Sequence, residues 1–124
     1  MTTLKRLFIT DNYISGSIPS LLGMMTELTG LRLNYNSLTG TIPTELALLG
    51  NMTRFELYSN HLTVGSIPTE LALLTSVSNF ALHDNLMTGP LPSEIGLMTN
   101  INQLYFSANV FEGSIPSELG LMTA

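Results

Sequence analysis

Residues 28–51 read LTGLRLNYNSLTGTIPTELALLGN, and this 24-residue pattern recurs on either side. Asparagine returns at Asn12, Asn36, Asn60, Asn85 and Asn109, in steps of 24, 24, 25 and 24. Glycine keeps the same steps at Gly16, Gly40, Gly65, Gly89 and Gly113. Two residues after each glycine comes an apolar–proline pair, from Ile18-Pro19 to Ile115-Pro116, with Leu91-Pro92 the one leucine variant. A fixed period of this length means stacked repeats.

Working outward, each unit opens with apolar residues at its first, fourth and sixth positions. The sets are Leu4, Leu7, Ile9; Leu28, Leu31, Leu33; Met52, Phe55, Leu57; Val77, Phe80, Leu82; and Ile101, Leu104, Phe106. The last two of each set alternate with variable residues, the period of a half-buried strand. One short strand cannot bury its own apolar face. Strands stacked about 4.8 Å apart are expected to form a parallel sheet over a continuous core. The asparagine side chains should pair with backbone groups that the turning chain leaves open, and so form an internal structural ladder of Asn12, Asn36, Asn60, Asn85 and Asn109. Proline fixes φ for a short helical turn, and Glu45, Glu70, Glu94 and Glu118 fall in its first residues, where they complement the helix dipole. The first unit carries Ser20-Leu21 there instead.

The units LTGLRLNYNSLTGTIPTELALLGN and INQLYFSANVFEGSIPSELGLMTA resemble the plant-type leucine-rich repeat, LxxLxLxxNxLxGxIPxxLGxLxx, over essentially the whole chain. The resemblance implies an α/β right-handed solenoid with a concave parallel β-sheet, a second shorter strand near each Gly-x-Ile-Pro, and short convex 3-10 or helical turns. Five repeats are expected, at 4–27, 28–51, 52–76, 77–100 and 101–124, without the cysteine-paired caps common in that family. Family members are mostly extracellular recognition modules, either receptor ectodomains or secreted inhibitors of foreign enzymes. An extracellular or cell-surface setting is therefore implied by resemblance.

Composition narrows the function classes. The 124 residues include no cysteine, which excludes a disulfide framework, and only four basic residues against nine acidic ones. Nucleic acid is therefore a poor partner. No apolar run approaches membrane-spanning length, so direct membrane insertion is not expected, and no secretory leader is visible. Met1-Thr2-Thr3-Leu4 and Met122-Thr123-Ala124 share one repeat phase, so the chain is expected to be an internal piece of a longer array. End-to-end self-association through uncapped repeats is the alternative. The single 25-residue step places an extra residue within Leu62-Thr63-Val64, where a bulge beside the sheet is expected.

The expected binding surface is the set of variable strand positions on the concave face. Its candidate ligand-binding residues are Phe8, Tyr13, Arg32, Asn34, Tyr35, Glu56, Tyr58, His61, His83, Asp84 and Tyr105. All four tyrosines and both histidines fall there, and tyrosine combines large contact area with a hydroxyl. Arg6, Arg32 and Arg54 stand at or beside the first column of this surface. The charge runs from neutral in residues 1–62 to five net negative charges in 63–124. No catalytic signature is present, and Glu56, Tyr58, His61, His83 and Asp84 lack a spacing that would converge them on a metal or a reacting atom. No catalytic residue, cofactor or metal is expected. Asn51-Met52-Thr53 is the only candidate glycan acceptor. The expected function is recognition of a protein or peptide on the concave face, in a receptor ectodomain or a secreted recognition protein. The alternatives are a structural spacer without a specific ligand and a secreted enzyme inhibitor.

Overall fold

A computed structural model describes residues 3–63 and 65–122. Each unit contributes two short strands and one 3-10 turn. They run β1 (Arg6–Phe8), β2 (Ser15–Ser17), η1 (Ser20–Met24); β3 (Gly30–Arg32), β4 (Ser37–Gly40), η2 (Thr44–Leu48); and β5 (Arg54–Glu56), β6 (His61–Leu62), η3 (Thr69–Leu73). The series ends with β7 (Asn79–Ala81), β8 (Thr88–Gly89), η4 (Ser93–Leu97); and β9 (Gln103–Tyr105), β10 (Val110–Phe111), η5 (Ser117–Leu121). The described residues form a solenoid of five stacked strand–strand–turn units, as the resemblance implies. The helical component is narrower than the α/β label suggests: among the described residues every convex turn is 3-10 and none is an α-helix.

The main sheet has the order β1-β3-β5-β7-β9, all parallel. Its central row is Leu7, Leu31, Phe55, Phe80 and Leu104, which points into the core. Phe55 and Phe80 stack at 5.2 Å, and Phe106 meets Phe80 edge-on at 5.8 Å. Leu31, Phe55 and Phe80 are fully buried, whereas Leu7 and Leu104 in the outer units are only half-buried. A repeat is sealed by its two neighbours, and an outer repeat has only one.

Backbone amides and carbonyls at the strand ends are claimed by the asparagines. Asn60 Nδ2 donates to Leu33 O at 3.0 Å and Leu57 O at 3.1 Å, and its Oδ1 accepts from Leu38 N at 2.9 Å. Asn36 and Asn85 repeat this, so Leu33 O receives Asn36 and Asn60, and Leu57 O receives Asn60 and Asn85. Asn109 does the same half-buried, while Asn12 donates only to Thr10 O and is exposed. The residue before each asparagine is left-handed: Asp11, Tyr35, Ser59, Asp84 and Ala108 have φ between 51 and 56°.

The extra residue of the third unit leaves the main sheet in register, because Glu56 still pairs with Ala81. It interrupts the secondary strands instead, which divide into β2-β4-β6 and β8-β10. Of the segment expected to bulge, Leu62 and Thr63 are described, and Val64 lies outside the described residues. On the convex side, prolines with φ from −57 to −70° open each turn, and Glu45, Glu70, Glu94 and Glu118 follow in the first turn of η2 to η5.

Candidate functional site

The concave groove is built from alternate positions of the main-sheet strands. Its registers are Arg6–Gly30–Arg54–Asn79–Gln103 and Phe8–Arg32–Glu56–Ala81–Tyr105, with Asn34, Tyr58 and His83 just beyond the strand ends. The groove holds about 500 Å3 and draws its lining from all five units, from Thr10 and Arg32 to Gln103 and Tyr105.

Curvature buries part of this surface. Asn34 is 4% exposed, Glu56 6% and Ala81 2%, so these residues form the floor. A buried carboxylate needs partners. Glu56 takes Arg32, with Nε at 3.1 Å from Oε2, and Asn79 Nδ2 at 3.3 Å from Oε1. The Arg32 N–H is not aligned for a hydrogen bond, so the contact is an ion pair without one. The guanidinium also lies over the Phe8 ring at 4.8 Å.

One wall is aromatic. Tyr35 meets Tyr58 edge-on at 5.3 Å, Tyr58 stacks on His83 at 4.3 Å, and His83 meets Tyr105 edge-on at 5.7 Å. Burial, reinforced by the Glu56 carboxylate, pushes the Tyr58 phenol above the usual tyrosine value, so it stays a protonated donor. Three polar atoms on this surface are buried without a partner: Asn34 Oδ1, Asn79 Oδ1 and His83 Nδ1. Asn79 Nδ2 is committed to Glu56.

The groove therefore brings together Arg32, Asn34, Tyr35, Glu56, Tyr58, His83 and Tyr105. Phe8 sits at its first edge, 47% exposed, in a side cleft with Arg6, Gly30 and Arg54. Three expected residues belong elsewhere. Tyr13 stands between β1 and β2, 96% exposed, and His61 opens β6 in the secondary sheet. Their column follows the asparagine turn, so it has left the concave sheet. Asp84 caps the rim, where its carboxylate accepts from Ser59 Oγ at 2.7 Å. The tyrosine and histidine content of the groove is thus three tyrosines and one histidine. Asn79 and Gln103 line it but were not singled out from sequence. Their signal was the strand period itself, since they stand two residues before Ala81 and Tyr105 and in register with Arg54. Among the described residues, no three His, Asp or Glu side chains come together as metal ligands would.

Asn51 is exposed, donates to Thr26 O at 3.0 Å, and precedes the buried Met52. Among the described residues, no helix is long and apolar enough to cross a membrane.

A family model described as Leucine Rich Repeat matches residues 3–25 and 27–49. No curated protein sequence matches the chain at a significant level. Solved structures do. The leucine-rich-repeat ectodomain of the membrane receptor kinase GASSHO1/SCHENGEN3 from Arabidopsis thaliana, in complex with CASPARIAN STRIP INTEGRITY FACTOR 2, superposes with a TM-score of 0.93 at 29% identity. That match covers 97% of this chain and 14% of the ectodomain. The Arabidopsis receptor kinase HAESA, in complex with the peptide hormone IDA and the co-receptor SERK1, gives 0.93 at 36% identity, over 98% of this chain and 20% of that one. The Arabidopsis BIR3–SERK2 complex gives 0.86 at 32% identity, over 91% of this chain and 60% of that one. The chain thus spans between about a seventh and three fifths of these relatives. The recurring asparagine ladder, the fold and these matches agree: residues 3–25 and 27–49 match the Leucine Rich Repeat model, and the fold is that of plant-type leucine-rich-repeat ectodomains.

Proposed function

We propose that this chain is a recognition module, not an enzyme, that holds an extended peptide or protein segment in its concave groove. It would serve as part of an extracellular receptor ectodomain or a secreted recognition protein. The observation that carries the reading is the aromatic wall of Tyr35, Tyr58, His83 and Tyr105 along one continuous groove of the parallel sheet. Tyrosine walls suit such a ligand because they offer contact area at low entropic cost. The solved HAESA ectodomain, in complex with a peptide hormone, supports the same reading.

The test is selection of linear peptides from a displayed random library on the full chain, followed by calorimetry of the best binder. Tyr35→Ala with Asn79→Ala is expected to weaken that binder at least about tenfold while the circular-dichroism melting curve stays native. Tyr105→Ala should weaken it separately. Binders that tolerate all three changes, or a selection that yields none, would leave the chain a spacer and overturn the reading.

A further inference from the structure

The convex side carries a second surface that the groove does not use. Every 3-10 turn ends in an exposed apolar side chain: Met24 at 71% exposure, Leu48 at 64%, Leu73 at 68%, Leu97 at 64% and Leu121 at 68%. All five are the last residue of their turn, so they form one row along the solenoid. The residue that follows in the inner units, Leu49, Leu74 or Met98, is fully buried and already supplies the core contact. Packing needs one apolar residue at this place in each turn, and each turn carries two. A contiguous row of exposed apolar side chains marks an interaction surface.

A second row borders the first. Glu45, Glu70, Glu94 and Glu118 stand three residues before Leu48, Leu73, Leu97 and Leu121, and all four are exposed. A 3-10 turn has three residues per revolution, so residues three apart eclipse each other. Each glutamate therefore lies along the axis from its leucine, and the apolar row has an acidic edge. None of the five turns carries a basic residue in its last turn, and the chain's four basic residues all lie on the sheet side at Lys5, Arg6, Arg32 and Arg54.

We propose that the convex row is a docking surface for a basic amphipathic helix of a partner protein. Its leucine-type face would lie along Met24 to Leu121, and its Lys or Arg flank would lie against the four glutamates. Charge complementarity selects this occupant. A second copy would bring glutamate rows towards each other, and an anionic bilayer would repel them. The row's four steps, at no less than about 4.8 Å each, span at least about 19 Å, which a helix of about 13 residues covers. Helix-in-groove recognition of this kind uses one apolar anchor per turn, as the row offers one per unit.

The probe is a synthetic leucine–lysine helix of about 18 residues with one apolar face, titrated by fluorescence anisotropy against the full chain. Its control is a scrambled peptide of the same composition, which carries the same charge but has no apolar face. The native chain should bind the ordered peptide at least about tenfold tighter than the scrambled one. Leu48→Asn with Leu73→Asn and Leu97→Asn keeps every charge and should abolish that preference. Glu45→Gln with Glu70→Gln and Glu94→Gln should weaken binding and flatten its salt dependence. All six positions are exposed, and single Leu73→Asn serves as the milder variant if the triple one loses its native circular dichroism. Equal binding of both peptides, or a preference that survives the leucine changes, overturns the proposal. A concentration-dependent dimer abolished by the same leucine changes would assign the row to a second copy. Their abolishing binding to neutral lipid vesicles would assign it to a membrane. Either result also overturns it.

Discussion

Replacing Asn60 by alanine removes one rung from the middle of the ladder, and its cost follows from what each partner has left. Leu38 N–H donates to Asn60 Oδ1 at 2.9 Å inside the protein, and alanine offers it nothing. A buried, orphaned amide costs about 1–3 kcal/mol. Leu33 O and Leu57 O lose Asn60 as well, but each keeps a second asparagine, Asn36 and Asn85 respectively. Those two losses are partial, about 0.5 kcal/mol each, the low end of a net hydrogen bond. Asn60→Ala should therefore destabilise the chain by about 2–4 kcal/mol, a large part of a small domain's stability. Asn12 occupies the same place in the first unit but is exposed and bonded only to Thr10 O, so Asn12→Ala should cost under about 0.5 kcal/mol. Asn109→Ala, half-buried, should fall between. The assay is urea unfolding followed by circular dichroism and by tyrosine fluorescence, since repeat arrays must be checked for coincident transitions before a free energy is assigned. With a slope of about 2 kcal/mol/M, the Asn60 variant should shift the midpoint by about 1–2 M. Equal costs at Asn12 and Asn60, or an Asn60 cost below about 1 kcal/mol, would refute the ladder as the source of this stability.

Three further outcomes follow from packing and charge. A Cβ at Gly23 would sit on the backbone carbonyl of Glu45, whereas one at Gly120 meets no atom within 4 Å. Gly23→Ala should lose about 1–3 kcal/mol in thermal unfolding while Gly120→Ala changes little. Ala108 holds φ at 51°, which asparagine tolerates better, so Ala108→Asn should raise the free energy of unfolding in urea by about 0.5–1 kcal/mol. In an ultraviolet pH titration Tyr58 should ionise above the usual tyrosine range, and Glu56→Gln should move it back towards that range. Because its folded value is raised, its stabilising contribution is complete below about pH 10 and is lost as pH rises through the folded value.

The repeating parts of the molecule were legible because each is a local rule applied five times. The strand positions of Phe55 and Phe80, the left-turning glycines and the prolines that open the 3-10 turns depend on neighbours within a few residues. The period alone says that equivalent residues of successive units stack, and the register through Glu56 and Ala81 keeps that stacking across the one longer unit. The site was legible less evenly. Arg32, Tyr58, His83 and Tyr105 line the groove as their alternation with core residues implies. Tyr13 and His61 were misplaced because alternation ends at the asparagine turn, where the left-handed residue swings the chain out of the sheet.

The sequence by itself determined the solenoid, its phase and its ladder, since a 24-residue period of asparagine, glycine and proline leaves no other way to bury one strand per unit. Only the tertiary structure decided which variable side chains share a surface. That choice depends on curvature and on partners a whole repeat away: Glu56 is buried because Arg32 and Asn79 close on it from the two adjacent units. Likewise, the exposed row from Met24 to Leu121 forms because the stacked turns present their surplus apolar residues in one line, while the residue that follows in the inner units turns into the core.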